Sequence, residues 1–224
     1  MSSGRLLPCA FFARPVLDVA SDLVGCTFLC DGVGGRLVEV EAYRAADDPA
    51  SHAYRGRTER NAVMFGPAGF LYVYFTMGLH FCVNVVCGVE GEASAVLLRA
   101  LEPTAGLDVM RARRGLDDPR ALSSGPAKLT QALGITRADN GAPACVDGGR
   151  FAFLARDGEE ASAEEAKVAP SLPSPVSGAV STPRIAATPR IGVAAAADRP
   201  WRFVDAASAF LSRPLPRGTR SGPH

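Results

Sequence analysis

GRLVEVEAY, residues 35–43, decides the architecture, because its alternation sorts the side chains onto two faces of an extended chain. Leu37, Glu39, Glu41 and Tyr43 fall on one face, and Val38, Val40 and Ala42 on the other. Two carboxylates on one face of an otherwise apolar strand have two explanations. The face is open to water, as in many antiparallel sheets, or specific partners compensate the high cost of burying them. The strand pattern alone favours the wet face.

Working outward, three more strands are predicted at Phe70–Phe75 (FLYVYF), Phe81–Val86 (FCVNVV) and Ala95–Leu101 (AVLLRAL), with Gly66, Pro67, Gly69, Gly88 and Gly91 as punctuation. Upstream, Val16–Val24 has helical spacing, with Val16, Val19, Ala20 and Leu23 on one side. Downstream, residues 103–114 read as a helix with Pro103 near its start and arginines in its last turn. Ser124–Leu133 reads as another, with Ser124 as N-cap and Pro126 in the first turn. Residues 157–182 read as a surface loop, TPRIA (182–186) and TPRIG (188–192) as a near-tandem repeat, and 213–224 as a disordered tail. Clustered strands with flanking helices make one α+β domain over residues 1–212.

The chain has 224 residues, enough for one sizeable core. No apolar run approaches the ~20 residues that span a bilayer, and Met1–Arg14 lacks the features of a secretory signal, so a cytoplasmic protein is expected. The six cysteines (9, 26, 30, 82, 87 and 145) are then expected as small, reduced, buried hydrophobes. The three histidines have no zinc-ligand spacing with them, so no metal is expected. The net charge of +1 gives no global basic signal for nucleic acid. Arg44, Arg55, Arg57 and Arg60, and separately Arg111, Arg113 and Arg114, could meet phosphates, although charge alone favours a solvated surface.

The informative residues are polar ones inside apolar strands. Asn84 interrupts Phe81–Val86, where propensity disfavours it, so something uses its amide. Arg99 follows Val96–Leu98 and cannot be buried unpaired. Alternation groups Phe70, Tyr72 and Tyr74, which by strand spacing alone read as core. His52 follows the acidic pair Asp47–Asp48 and alone reads as a loop residue. Taken together, a carboxylate, flat rings, a histidine, an amide and an arginine suit a planar ligand stacked between rings with a water beside it. A damaged base drawn out of a helix is such a ligand.

These residues resemble the alkyladenine (3-methyladenine) DNA glycosylases. The resemblance rests on Glu39–Tyr43 (EVEAY), His52, Arg60–Asn61 with Met64–Phe65, Leu71–Tyr74 (LYVY), Phe81–Asn84 (FCVN), Leu97–Pro103 (LLRALEP) and Ser124–Leu133 (SGPAKLTQAL), in the family's order and spacing. It runs from about residue 8 to 135, and more loosely through Arg190–Phe203. It implies a single mixed domain around a curved antiparallel sheet, acting as a monomer without cofactor on double-stranded DNA that contains damaged purines, in the cytoplasm with the nucleoid. Glu41 would be the general base and Arg99 would help hold the water and the flipped nucleotide's backbone. Tyr43, His52 and Tyr74 would clasp the flipped base, and Asn84 would reject the exocyclic amine of guanine. Arg57, Arg60 and Lys128 would meet DNA. The family commonly places a tyrosine wedge where this chain has Met77, an apolar but poorer stacking side chain.

The reaction so implied passes through an oxocarbenium-like sugar. No lysine precedes Lys128, and strand-cutting glycosylases usually need an amine nucleophile, so an intact abasic strand is expected. Two other readings compete: a lesion sensor without chemistry, which would not need Glu41, and a small-molecule hydrolase or transferase, which would not need Met77 or the arginine clusters.

Overall fold

The computed structural model describes residues 4–76, 78, 80–156 and 182–215. Met77, most of the expected 157–182 loop and residues 216–224 of the expected tail lie outside them. The chain opens with helices α1 (Cys9–Phe12) and α2 (Val16–Leu23). The face of α2 expected to be apolar is the buried one: Val16, Val19, Ala20 and Leu23. The four expected strands form, as β2 (Val33–Arg44), β4 (His80–Val86) and β5 (Ser94–Ala105) with longer ends and as β3 (Leu71–Thr76) shifted by one residue. The pattern did not reveal β1 (Thr27–Cys30), β6 (Phe151–Leu154), β7 (Ile185–Thr188) or β8 (Arg202–Asp205). Each has only four residues, too few for periodicity to register.

All pairings are antiparallel, in the order β3-β4-β5-β2-β1-β6. The result is a single α+β domain around a curved sheet, as the resemblance implies. Strand β2 is its spine. One edge pairs with β5 along its length; the other takes β1 on its first half and β8, itself paired with β7, on its second. Asp31 and Gly32, at φ 51° and 76°, make the two-residue turn from β1 to β2. The β2–β5 register slips on either side of Glu39: Leu37 faces Leu101, Glu39 faces Ala100 and Val40 faces Leu98. Val38 and Arg99 are therefore the extra residues of two offsetting bulges, a device that re-aims side chains while restoring the register. The main core packs α2, α5 (Pro126–Leu133) and the aromatic group Phe12, Phe28, Phe151 and Phe153 against one face of the sheet. No helix among the described residues is long and apolar enough to cross a membrane.

Three expectations are corrected. The helix expected from residue 103 begins later, as α3 (Leu107–Arg114), because β5 continues through Pro103, opposite Gly35, to Ala105. The turn into α3 is made by Gly106 at φ 67°. The helix expected from Ser124 is α5, entered through Gly125 without a side-chain cap; Ser124 instead bridges to Ala100. A short helix, α4 (Pro119–Leu122), lies between them. Cysteines 26, 30, 82 and 87 are buried and free as expected, but Cys9 and Cys145 are joined in a disulfide. Residues 142–144, just before Cys145, pair with Gly69–Leu71 at the start of β3, and Phe12 of α1 and Cys145 both stand against Gly69.

Gly35 has no room for a side chain: a Cβ there would stand 1.9 Å from the carbonyl oxygen of Glu102. That neighbour is sheet backbone and cannot swing aside. Gly35→Ala should therefore destabilise the fold by about 3 kcal/mol, read as a lowered urea midpoint at unchanged slope. A midpoint equal to the parent's would show that the β2–β5 pairing relaxes freely.

Candidate active site

The sequence alone favoured a wet face for Glu39 and Glu41. Both are instead fully buried, at 0% exposure. Guanidinium groups and hydroxyls from distant parts of the chain supply their partners there. Arg99, at its bulge, gives Nε to Glu39 (2.7 Å) and Nη1 to Glu41 (3.2 Å). Arg202 on β8 gives Nε to Glu39 at 2.9 Å, and Ser212 donates to the same carboxylate through its hydroxyl at 2.6 Å and its amide at 2.7 Å. Burial pushes the Glu39 carboxyl up, but Arg202, Arg99 and Ser212 outweigh it, leaving Glu39 below the usual carboxylate range.

The two carboxylates differ in where their partners lie. A carboxylate offers about four acceptor sites. Glu39 has four donors among the described residues, unevenly shared: Arg99, Arg202 and the Ser212 hydroxyl meet Oε1, and the Ser212 amide alone meets Oε2. Glu41 has three: the Tyr43 hydroxyl at 2.8 Å and Arg99 on Oε2, and the Ile191 amide at 2.7 Å on Oε1. Each carboxylate thus has one oxygen with a single donor among the described residues, Oε2 of Glu39 and Oε1 of Glu41, but only Glu41 has every partner on the wall of the neighbouring cavity. Burial, then Glu41 itself, raises the Tyr43 hydroxyl far above its ordinary pKa, so it stays a donor.

These donors front a cavity of about 390 Å³, of a size to take a planar base. Tyr43, His52, Tyr74, Asn84 and Arg99 all line it, so the structure brings together five of the six residues expected at the catalytic and base-binding site. Glu41 is the sixth; it lies directly behind Tyr43, Arg99 and Ile191. The walls are individually anchored. His52 meets the edge of Tyr74 at 4.5 Å between centroids, and its Nδ1 lies 3.1 Å from the Tyr72 hydroxyl. The His52 loop is knotted by Asn61, whose amide donates to the carbonyls of His52 (2.9 Å) and Gly56 (3.0 Å) while accepting from Thr58 (2.7 Å). Strand β3, which carries Tyr72 and Tyr74, is clamped at Val73 by the side chains of Asn140 (2.9 Å) and Arg137 (2.6 Å). The amide that Asn84 was expected to use donates to the carbonyl of its cross-strand neighbour Tyr72 at 3.0 Å. Its oxygen has no partner among the described residues.

The residues expected to meet DNA lie around this cavity or outside it. Lys128 is exposed on α5, next to the lining residues Pro126 and Ala127. Arg60 is exposed, reaches the Phe75 carbonyl at 3.4 Å and stands 6.0 Å from the Tyr74 ring centroid. Arg57 is exposed on the loop beyond His52 and does not line the cavity. Much of the two arginine clusters is engaged internally: Arg44 with Asp47, Arg111 with Asp108, and Arg114 with Gln131. Sequence reasoning missed Tyr72 as a partner of His52, and gave no role to Arg190, Ile191, Arg202 or Ser212. The repeated TPRI motif was the available signal for Arg190: Arg184 of the first copy is exposed, whereas Arg190 of the second is buried.

A buried carboxylate set behind an aromatic slot can hold a water beside a flat ligand, and comparison with known proteins gives the class, a DNA N-glycosylase. The profile of the methylpurine-DNA glycosylases matches residues 10–209. A protein from Rhodopseudomonas palustris is 55% identical over 96% of this chain and 91% of its own length. Relatives from Bradyrhizobium diazoefficiens and Methanoculleus marisnigri are each 49% identical, over 96% and 92% of this chain and 94% and 98% of their own. All three carry the provisional name 3-methyladenine DNA glycosylase. The chain belongs to the methylpurine-DNA glycosylase family.

Burial, and then the charge of Arg60, hold the His52 imidazole below its ordinary value of 6.5, so it is neutral at pH 7. A histidine with a depressed folded pKa gives stability that is complete above 6.5 and lost as pH falls through the folded value. An NMR titration of the His52 ring should show a midpoint below 6.5 in the folded protein. A midpoint at or above that value would mean that neither burial nor Arg60 acts on the imidazole.

Proposed function

We propose that the chain removes N-alkylated purines such as 3-methyladenine from duplex DNA. The damaged nucleotide is drawn out of the helix, its base enters the slot lined by Tyr43, His52 and Tyr74, and Glu41 activates the water that cleaves the glycosidic bond. The observation that carries this reading is the difference between the paired carboxylates. All three hydrogen-bond partners of Glu41 (Tyr43, Arg99 and Ile191) line the cavity, whereas among those of Glu39 only Arg99 does.

The chemistry follows from those positions. Water docks on Oε1 of Glu41 as the entering nucleotide displaces the wall in front of it. Its oxygen bonds to C1′ of the sugar while the C1′–N bond breaks, the electron pair leaves with the purine, and Glu41 takes the water's proton. An N-alkylated purine is cationic in the nucleoside and leaves as a neutral base, so it needs no acid. The negative carboxylate also stabilises the positive charge growing on the sugar. Tyrosine faces favour a cationic base by about 1–2 kcal/mol per good contact. Asn84, held by the Tyr72 carbonyl, stands where it can reject a guanine amine. Arg57, Arg60 and Lys128 bind backbone phosphates around the opening, and Met77 fills the gap in the duplex. The enzyme acts as a monomer in the cytoplasm, on the nucleoid. No lysine lines the cavity among the described residues, in keeping with hydrolysis that leaves the abasic strand uncut.

Single-turnover excision from a duplex carrying one 3-methyladenine tests this. Glu41→Gln should bind that duplex as the parent does and release the base about 10²–10⁴-fold more slowly, with strand breaks appearing only after hot alkali. Release at the parent's rate removes Glu41 from the role of base, and breaks at neutral pH remove the monofunctional reading.

A further inference from the structure

Behind the pocket lies an ion pair that the chemistry above does not use. Asp48 and Arg190 have no exposed side-chain surface (0% each) and meet through two hydrogen bonds of 2.6 and 2.8 Å. The guanidinium also donates to the carbonyls of Ala42 (3.1 Å) and Ala196 (3.4 Å). Its carbon stands 4.7 Å from the centroid of the Tyr43 ring and 5.2 Å from that of Trp201. Its Nε has no hydrogen-bond acceptor among the described residues. Tyr43 lines the cavity and Arg190 does not, so the Tyr43 ring separates the cation from the space where a base would sit. The layers run Asp48, Arg190, Tyr43, cavity.

That order has an electrostatic consequence. A tyrosine face attracts a cationic base through its negative quadrupole, and a positive charge on the opposite face opposes that attraction. An unpaired guanidinium here would repel a cationic purine stacked on Tyr43, yet leave a neutral purine almost unaffected. It cannot escape by losing its proton, because arginine remains charged in proteins. Asp48 cancels the charge where it arises. The other charges around Tyr43, Glu41 and Arg99, belong to the catalytic cluster and hydrogen-bond each other.

We infer that the buried Asp48–Arg190 pair sets the charge preference of the base pocket: it lets Tyr43 accept cationic N-alkylated purines, and the balance within the pair decides between charged and neutral lesions. This rests on the reading of the cavity as the base-excision site. Neither residue touches the base; both act through the ring of Tyr43.

The test compares single-turnover excision of 7-methylguanine, which is cationic, with that of hypoxanthine, which is neutral, in duplexes of otherwise identical sequence. Both are measured on one enzyme preparation, so loss of folded protein cancels in the ratio. At an effective dielectric of about 20 and a separation of roughly 8 Å, the bare cation should lower the charged-to-neutral ratio in Asp48→Asn on the order of tenfold. Arg190→Gln, which leaves only the carboxylate behind the ring, should raise it, and this variant serves if Asp48→Asn cannot be purified folded. Ratios unchanged in both variants, or moving the same way, overturn the inference while leaving the excision activity intact. Failure of the parent to release either base would instead overturn the underlying function.

Discussion

A single guanidinium, that of Arg99, lies between two carboxylates buried on one face of β2, and the site is built outward from it. Without its bridge, Glu41 would have no cationic partner among the described residues and Glu39 only Arg202, in a space closed to water where an unpaired ion costs on the order of several kcal/mol. Arg99 reaches both only because it occupies a bulge in β5, offset by the bulge at Val38. The same constraint draws β8 onto the second half of β2, since Arg202 must approach Glu39 closely enough to share it. Backbone irregularity, sheet branching and charge pairing thus have one cause.

The cavity in front of this cluster is held open by separate fastenings. Asn61 ties the His52 loop, Asn140 and Arg137 grip β3, and Arg190 pins the segment whose Ile191 amide reaches Glu41. Each fastening comes from a different stretch of chain and ends on a backbone carbonyl, a backbone amide or a buried carboxylate. Such anchoring shapes the aromatic walls of the slot before any ligand arrives, which reduces the ordering cost of binding, and leaves only the wall before Glu41 to give way. It also explains how tyrosines that strand spacing alone assigned to the core serve two purposes. Tyr72 is buried and sets the orientation of His52, while Tyr74, two residues on, faces the cavity.

Local signals in the sequence revealed the scaffold well. The spacing of Val16, Val19, Ala20 and Leu23 foretold α2 and its buried face, and alternation located the four long strands. The same alternation misjudged the glutamate face as wet. The burial of Glu39 is decided by Arg202 and Ser212, 163 and 173 positions away, and that of Glu41 by Arg99 and Ile191, 58 and 150 positions away, and no window along the chain can register such partners. The start of α3 was misplaced because Pro103 suits a helix entrance as well as a strand end, and pairing with Gly35 selected the strand. The Cys9–Cys145 bond joins residues 136 positions apart, and its pairing was invisible for the same reason. The residues lining the pocket became legible together only through their resemblance to a family; singly, each had an ordinary structural explanation.

The account stands on a water held by Glu41 at the sugar. A crystal structure of the chain on a duplex carrying a positively charged pyrrolidine in place of the damaged nucleotide's sugar examines that point most directly. The expected result is an ordered water within about 3 Å of Glu41 Oε1, lying between the carboxylate and the ring atom that replaces C1′. Glu41 still sealed behind Ile191 and Tyr43, with no water between it and the ring, would contradict it.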